Sequence, residues 1–117
     1  MNARDVVDTG LDAPALVAEG TGHLTAGRPA PAAVAFERAV LHLGQLAAVG
    51  GSGQRMVLAE AMVGLARSYV MLGRAAEALD LAHHTEEQLS RVTLSPDQAD
   101  GLHRIERSCS RVIAAAL

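Results

Sequence analysis

The chain writes one pattern twice, and the repetition limits what it can fold into. Gly27-Arg28 is followed by Ala32, Phe36 and Ala39; Gly73-Arg74 is followed by Ala78, Ala82 and Thr85. Each Gly-Arg pair closes a segment whose apolar residues recur at helical spacing. A glycine ends a helix by adopting the left-handed conformation that other residues avoid. Small residues just beyond it let the next helix lie close against the first. Two such units in tandem specify a repeat of helical hairpins.

Composition supports this reading. The chain has 117 residues, enough for one small domain with a real core. Half of them are hydrophobic, yet there is no Trp, one Tyr (Tyr69) and one Phe (Phe36). The core must come from Ala, Leu, Val and Met, which suits closely spaced helices better than sheets of branched and aromatic residues. The class expected is all-α. A net charge of −3, with acids and bases intermixed, excludes a nucleic-acid surface built on bulk charge. All ten basic residues are arginine, a skew typical of GC-rich bacterial coding. The single cysteine, Cys109, rules out an intramolecular disulfide and fits a reducing cytosol. No segment approaches the roughly 20 apolar residues of a membrane span, and residues 1–5 lack the apolar stretch of a signal peptide. A cytoplasmic protein with no membrane partner is expected.

Along the chain, residues 1–11 read as a flexible N-terminal arm and residues 12–117 as a single helical domain. Hairpin 1 covers about 12–49. Asp12 caps its first helix, with Pro14 in the first turn. Leu16, Val17 and Leu24 are its sparse apolar residues, and Gly20 and Gly22 weaken it by about 1 kcal/mol each. Pro29 and Pro31 open a second helix carrying Val34, Phe36, Val40, Leu41, Leu43 and Leu46. Gly50-Gly51-Ser52-Gly53 reads as a linker over 50–53. Hairpin 2 covers about 54–92. Its first helix places Leu58, Met62, Leu65, Tyr69 and Leu72 on one stripe, and its second carries Ala75, Ala78, Leu79, Ala82, Leu89 and Val92. Ser95-Pro96-Asp97-Gln98 is a capping box with proline at the first helical position. It starts a terminal helix over 95–117, with Leu102, Ile105, Cys109, Val112 and Ala116 on one face.

These residues resemble the tetratricopeptide repeat (TPR) family, whose signature combines a small residue, an aromatic, a glycine turn, and then small, aromatic and small residues. Ala66, Tyr69, Gly73 and Ala78 match in the second copy; Gly20, Gly27, Ala32, Phe36 and Ala39 match in the first. His23 and Ala82 stand where aromatics are usual, and Thr85 replaces a small apolar residue. Leu16 and Met62 occupy the place of the frequent tryptophan, and the late proline is missing. The two glycines lie 46 residues apart (73 − 27), against about 34 in the standard repeat, so the resemblance is to long-period bacterial TPR-like repeats. It covers roughly residues 13–92. It implies a right-handed α-solenoid of two antiparallel hairpins closed by a C-terminal capping helix.

The candidates for chemistry are weak. His83 and His84 are adjacent on a helix, about 100° apart, and cannot chelate one metal from one face. His83 with Glu86 or Glu87 has ligand spacing, but no Glu-x-x-His pair recurs on other helices. His23, His42 and His103 stand singly. Cys109 lies on an apolar stripe, where a thiol behaves as a small hydrophobe. With no lysine there is no phosphate-binding Gly-rich loop of the usual kind. No cofactor and no catalytic activity are expected.

The family likeness implies that the first helix of each hairpin lines a concave groove. Counted by spacing, Glu60, Val63, Arg67, Val70 and Met71 face it from the third helix. Asp100, His103, Arg107, Ser110 and Arg111 face it from the fifth, and Val17, Thr21 and Leu24 from the first. The expected role is a non-catalytic protein–protein interaction module, regulatory or scaffolding. Val63, Val70 and Met71 would take an apolar anchor, and Arg67, Arg107 and Arg111 an acidic group; His103 lies beside them. An apolar patch at Val63, Val70 and Met71 calls for a partner peptide, the fifth helix, or a second copy as a homodimer. The family's lysine-and-asparagine carboxylate clamp is missing. The competing reading is a metal- or small-molecule-binding bundle, with or without enzymatic activity, built on His83, His84, Glu86, Glu87 and His103.

Overall fold

The computed structural model describes residues 3–47, 52–90 and 99–117, with side chains placed over 13–44, 54–90 and 99–117. Five helices follow one another: α1 (Ala3–Thr25), α2 (Pro29–Ala47), α3 (Ser52–Met71), α4 (Ala75–Ser90) and α5 (Ala99–Ala116). No strand occurs among the described residues, and the protein is all-α. The capping box at 95–98, the first linker glycines (Gly50 and Gly51) and Val92 lie outside the described residues.

The first helix differs from the arm-and-cap reading of residues 1–12. α1 already begins at Ala3, and Pro14 sits inside it. Proline removes only its own N–H from the helical ladder, so hydrogen bonding resumes on both sides of it.

Both Gly-Arg pairs form the same corner. Gly27 and Gly73 have φ of 74° and 78°. The Gly27 N–H donates to the Leu24 carbonyl (3.0 Å) and the Arg28 N–H to the His23 carbonyl (2.8 Å). The second corner repeats this, with Gly73 N–H to Val70 (3.1 Å) and Arg74 N–H to Tyr69 (2.8 Å). This pair of bonds satisfies carbonyls that a helix end would otherwise leave open. The arginine carbonyl then accepts the first bond of the next helix, from Ala32 or from Ala78. One residue therefore ends the first helix and the next one begins the second.

The helices form two layers. α1, α3 and α5 make one, in which α1 meets α3 and α3 meets α5; α2 and α4 lie on the other side and do not approach one another closely. The molecule measures 45 × 33 × 20 Å, and its shortest dimension is that of two helix diameters.

Phe36 fixes the first hairpin to the second. Its ring is 1% exposed, held in a slot between backbones. A Cβ built on Gly20 of α1 would come within 2.7 Å of the ring, and one on Gly64 of α3 within 2.4 Å. Gly20 therefore does more than weaken α1: it makes room for the ring, while Gly22 faces open space. Elsewhere on α2 alanines dominate the core. Ala32, Ala33, Ala35, Ala39 and Leu43 are buried, whereas Val34 and Leu41 are exposed. They lie on the opposite face of the helix from Phe36, which the helical period dictates.

α3 is the central helix. Its expected stripe of Leu58, Met62, Leu65 and Tyr69 is buried, but so are Ala59, Ala61, Val63, Ala66 and Ser68; Leu72 is partly exposed. A helix contacted by four others keeps only a narrow solvent face, here at Glu60, Arg67 and Met71. The Ser68 hydroxyl is satisfied by the Gly64 carbonyl (2.9 Å), and the buried Thr85 of α4 likewise bonds to Leu81 (2.7 Å). α5 behaves as a cover. Ile105, Cys109 and Val112 are buried, and the rest of the helix is mainly polar.

Candidate interaction groove

Helices α3 and α5 are held together below an open groove. Their apolar contact is a cluster of Ala59, Val63, Ile105 and Cys109 with Leu89 of α4. Val63 is therefore not a free surface. It is 5% exposed, and α5 supplies the cover that the sequence left open between a peptide, the fifth helix and a second copy.

Above this cluster the groove has two adjoining stretches that share Arg67 and Ser108. One, of about 370 Å³, is lined by Arg67, Val70 and Met71 of α3, and by Ser108, Arg111, Val112 and Ala115 of α5. The other, of about 340 Å³, is bounded by Val17 and Thr21 of α1, Glu60 and Arg67 of α3, and Arg104 and Ser108 of α5. The Thr21 hydroxyl is taken up by the Val17 carbonyl (2.8 Å), so the α1 wall offers little polar chemistry.

Three arginines reach this groove in a protein that is acidic as a whole. Arg104 pairs with Glu60 across the two helices at 2.9 Å. Both groups are partly exposed, so the pair contributes modestly to stability; its local effect is to consume one cation. Arg67 and Arg111 are exposed, and neither makes an ion pair among the described residues. Between them lie Val70, half-buried, and Met71, 52% exposed. The result is an apolar floor with two cations at its edge.

The expected site residues divide accordingly. Val63, Arg67, Val70, Met71 and Arg111 come together. His103 and Arg107 lie just beyond the groove, lining a neighbouring shallow stretch with Glu106, Ser110 and Arg111, so that Arg111 borders both. The residues that counting missed are Arg104, Ser108 and Ala115. They follow the buried stripe Ile105–Cys109–Val112 one residue out of step. A groove between two packed helices is lined by the flank of the core stripe, not by the face opposite it. That rule was available from the sequence; which flank turns to α3 was not.

Other chemistry stays dispersed. His83 and His84 are exposed, and the His83 Nδ1 lies 3.4 Å from Glu86 in an ordinary surface pair. No group of three or more His, Cys, Asp or Glu is placed to hold a metal ion among the described residues. Cys109 is fully buried. Burial, reinforced by the Glu86 and Glu106 charges, pushes its thiol up to about 11, the opposite of what a nucleophile needs. At the second corner the Tyr69 hydroxyl donates to Glu37 of α2 (3.0 Å), and the Arg74 guanidinium stands 4.2 Å above the Tyr69 ring. Arg74 also pairs with Glu77, which lowers the carboxyl of Glu77. No helix among the described residues is long and apolar enough to cross a membrane.

Comparison with protein-family models, with curated proteins and with solved structures found no match.

Proposed function

We propose that the protein is a non-catalytic interaction module of TPR-like build, holding an acidic, amphipathic segment of a protein partner in the groove between α3 and α5. The observation that carries this reading is the uncommitted pair Arg67 and Arg111 beside the apolar Val70, Met71 and Val112. A guanidinium binds carboxylate through two parallel hydrogen bonds, and an exposed apolar strip beside it favours a helix face or extended peptide. The family likeness read from the sequence supports the same role, since the α1–α3–α5 layer corresponds to the groove-lining helices of such arrays. A cytoplasmic location in a bacterium goes with it.

The test is capture of partners by the purified protein from its native host, read by mass spectrometry. Arg67→Glu with Arg111→Glu is expected to abolish capture while leaving the helical circular dichroism intact. Arg38→Glu, exposed on α2 in the other layer, is expected to leave capture unchanged. Capture that survives the folded double variant would move the binding surface elsewhere.

A further inference from the structure

The pocket at the C-terminal ends of α3 and α5 carries more positive charge than one carboxylate neutralises. Arg67 reaches it from α3 and Arg111 from α5, and none of the described acidic side chains lines it. Glu60, the one acid of α3, is held by Arg104 at 2.9 Å. Two cations from different helices therefore share one cavity of about 370 Å³ with no counter-charge among the described residues.

A third polar group lines the same cavity. Helical hydroxyls elsewhere in the protein are consumed by their own backbone. Thr21, Thr25, Ser68, Thr85 and Ser90 each donate to a carbonyl three or four residues earlier. Ser108 does not. It is half-buried, belongs to both stretches of the groove, and makes no hydrogen bond among the described residues. Ser110 is equally free, but it is exposed and lies outside this cavity, where water serves it. A hydroxyl in a cleft is a donor for any ligand that brings an acceptor.

Charge and donor count select the ligand. A carboxylate has a single negative charge and two oxygens in one plane, and one guanidinium fork satisfies both. Bound to Arg67 or to Arg111, it leaves the other cation uncompensated. A phosphomonoester carries about −1.5 to −2 at neutral pH and presents three acceptor oxygens. It takes a fork from each arginine and the hydroxyl as well. The rest of the lining is Val70, Met71, Val112 and Ala115, so the group that carries the phosphate must also bring apolar surface.

We infer that the anionic element held in the α3–α5 groove is a phosphorylated side chain of the partner segment, flanked by apolar residues. Arg67 and Arg111 clamp the phosphoryl group and Ser108 donates to it. The inference rests on the groove reading above and names the chemistry of its partner.

Retention of degenerate peptide libraries by the immobilised full chain tests it. The centre of each library is fixed as phosphoserine, phosphothreonine, phosphotyrosine or glutamate, with Leu, Met and Val enriched around it. At least one phosphorylated library is expected to be retained about tenfold more strongly than the glutamate library. Arg67→Gln with Arg111→Gln is expected to abolish that preference with circular dichroism unchanged, and Ser108→Ala to weaken retention about tenfold. Arg67→Lys with Arg111→Lys keeps the charge but loses the forks, and is expected to weaken it too. Phenyl phosphate is expected to displace the peptides at concentrations where inorganic phosphate does not. The inference is overturned if no phosphorylated library is retained, if the glutamate library is retained equally well, or if retention is indifferent to these variants. Displacement by inorganic phosphate as readily as by phenyl phosphate also overturns it, since the ligand is then the free anion. After any of these results, capture from the native host that still depends on Arg67 and Arg111 leaves the groove reading standing. Capture indifferent to them removes that reading as well.

Discussion

In the first hairpin the bulky ring stands on the second helix: Phe36 of α2 lies between the glycines of α1 and α3. In the second hairpin the equivalent position, equally far beyond the corner glycine, is Ala82, fully buried on α4. The ring there stands on the first helix instead, as Tyr69 of α3, where the first hairpin has His23. Gly20 against Phe36 becomes Ala66 against Ala82. The two units therefore share a backbone corner, with the same two hydrogen bonds and the same left-handed glycine, but fill the space behind it in opposite ways. What repeats is the corner and the closeness of the helices, not the side chain at any given site. Interiors pack to a fixed density, so bulk removed from one helix must return on a neighbour.

The comparison breaks most sharply at Phe36. Phe36→Ala empties a slot made by two glycines whose backbones cannot swell to fill it. A loss of about 3–5 kcal/mol is expected, read as a lower urea midpoint. Ala82→Gly at the equivalent position removes a single methyl and is expected to cost far less. Equal losses would mean that the two units are filled alike after all.

The shared corner is tested by Gly27→Ala and Gly73→Ala. A Cβ meets no neighbouring atom at either place, but φ is positive at both, so each substitution is expected to cost about 1–2 kcal/mol through backbone strain alone. The two losses should be similar, because the side chains that differ between the corners do not set this term. If Gly73→Ala cost much less, the Tyr69–Arg74–Glu77 cluster rather than the glycine would be holding the second corner.

The smallest effect separates the units by pH. The Tyr69 hydroxyl is raised, first by burial and then by its hydrogen bond to Glu37; the Cys109 thiol is raised to about 11 from 9.0, chiefly by burial. In each case the unfolded chain loses its proton at a lower pH than the folded one. Stability is therefore expected to fall as pH rises from about 9 towards 11. Tyr69 lies on α3 against Glu37 of α2 and Cys109 on α5, so the alkaline loss should appear first in the contacts of α3 with α2 and with α5. Cys109→Ala with Tyr69→Phe should flatten the slope. An alkaline slope unchanged in that double variant would assign the effect to other groups.

Much of the fold was legible because it is local. Glycine at a left-handed position, proline after a corner and apolar residues three and four apart are properties of short segments, and they placed the corners at 27 and 73 and the buried face of α5. The failures were not local. Val34 and Leu41 are as apolar as Val40 and Leu43, and only the direction in which α2 meets its neighbours puts them in water. Gly20 read as a weakness because its compensation, Phe36, lies on another helix. The groove was half legible: the α3 wall follows from spacing, whereas the α5 wall is turned, so that Arg104 and Ser108 line it and Arg107 and His103 lie beyond Arg111 at its border.

The sequence by itself determined that this chain is all-α, where its two corners fall, and which face of each of the last two helices is apolar. These follow from backbone sterics and the helical period, which act within a few residues. Only the tertiary structure decided that α3 is packed against all four other helices, that α5 covers Val63, and that Glu60 spends itself on Arg104 while Arg67 and Arg111 keep their charge for something else. The reason is that neutralisation and burial depend on which side chains are brought together across helices. Residues 60 and 104 are remote in the chain, and the pairing exists only once α3 and α5 lie side by side.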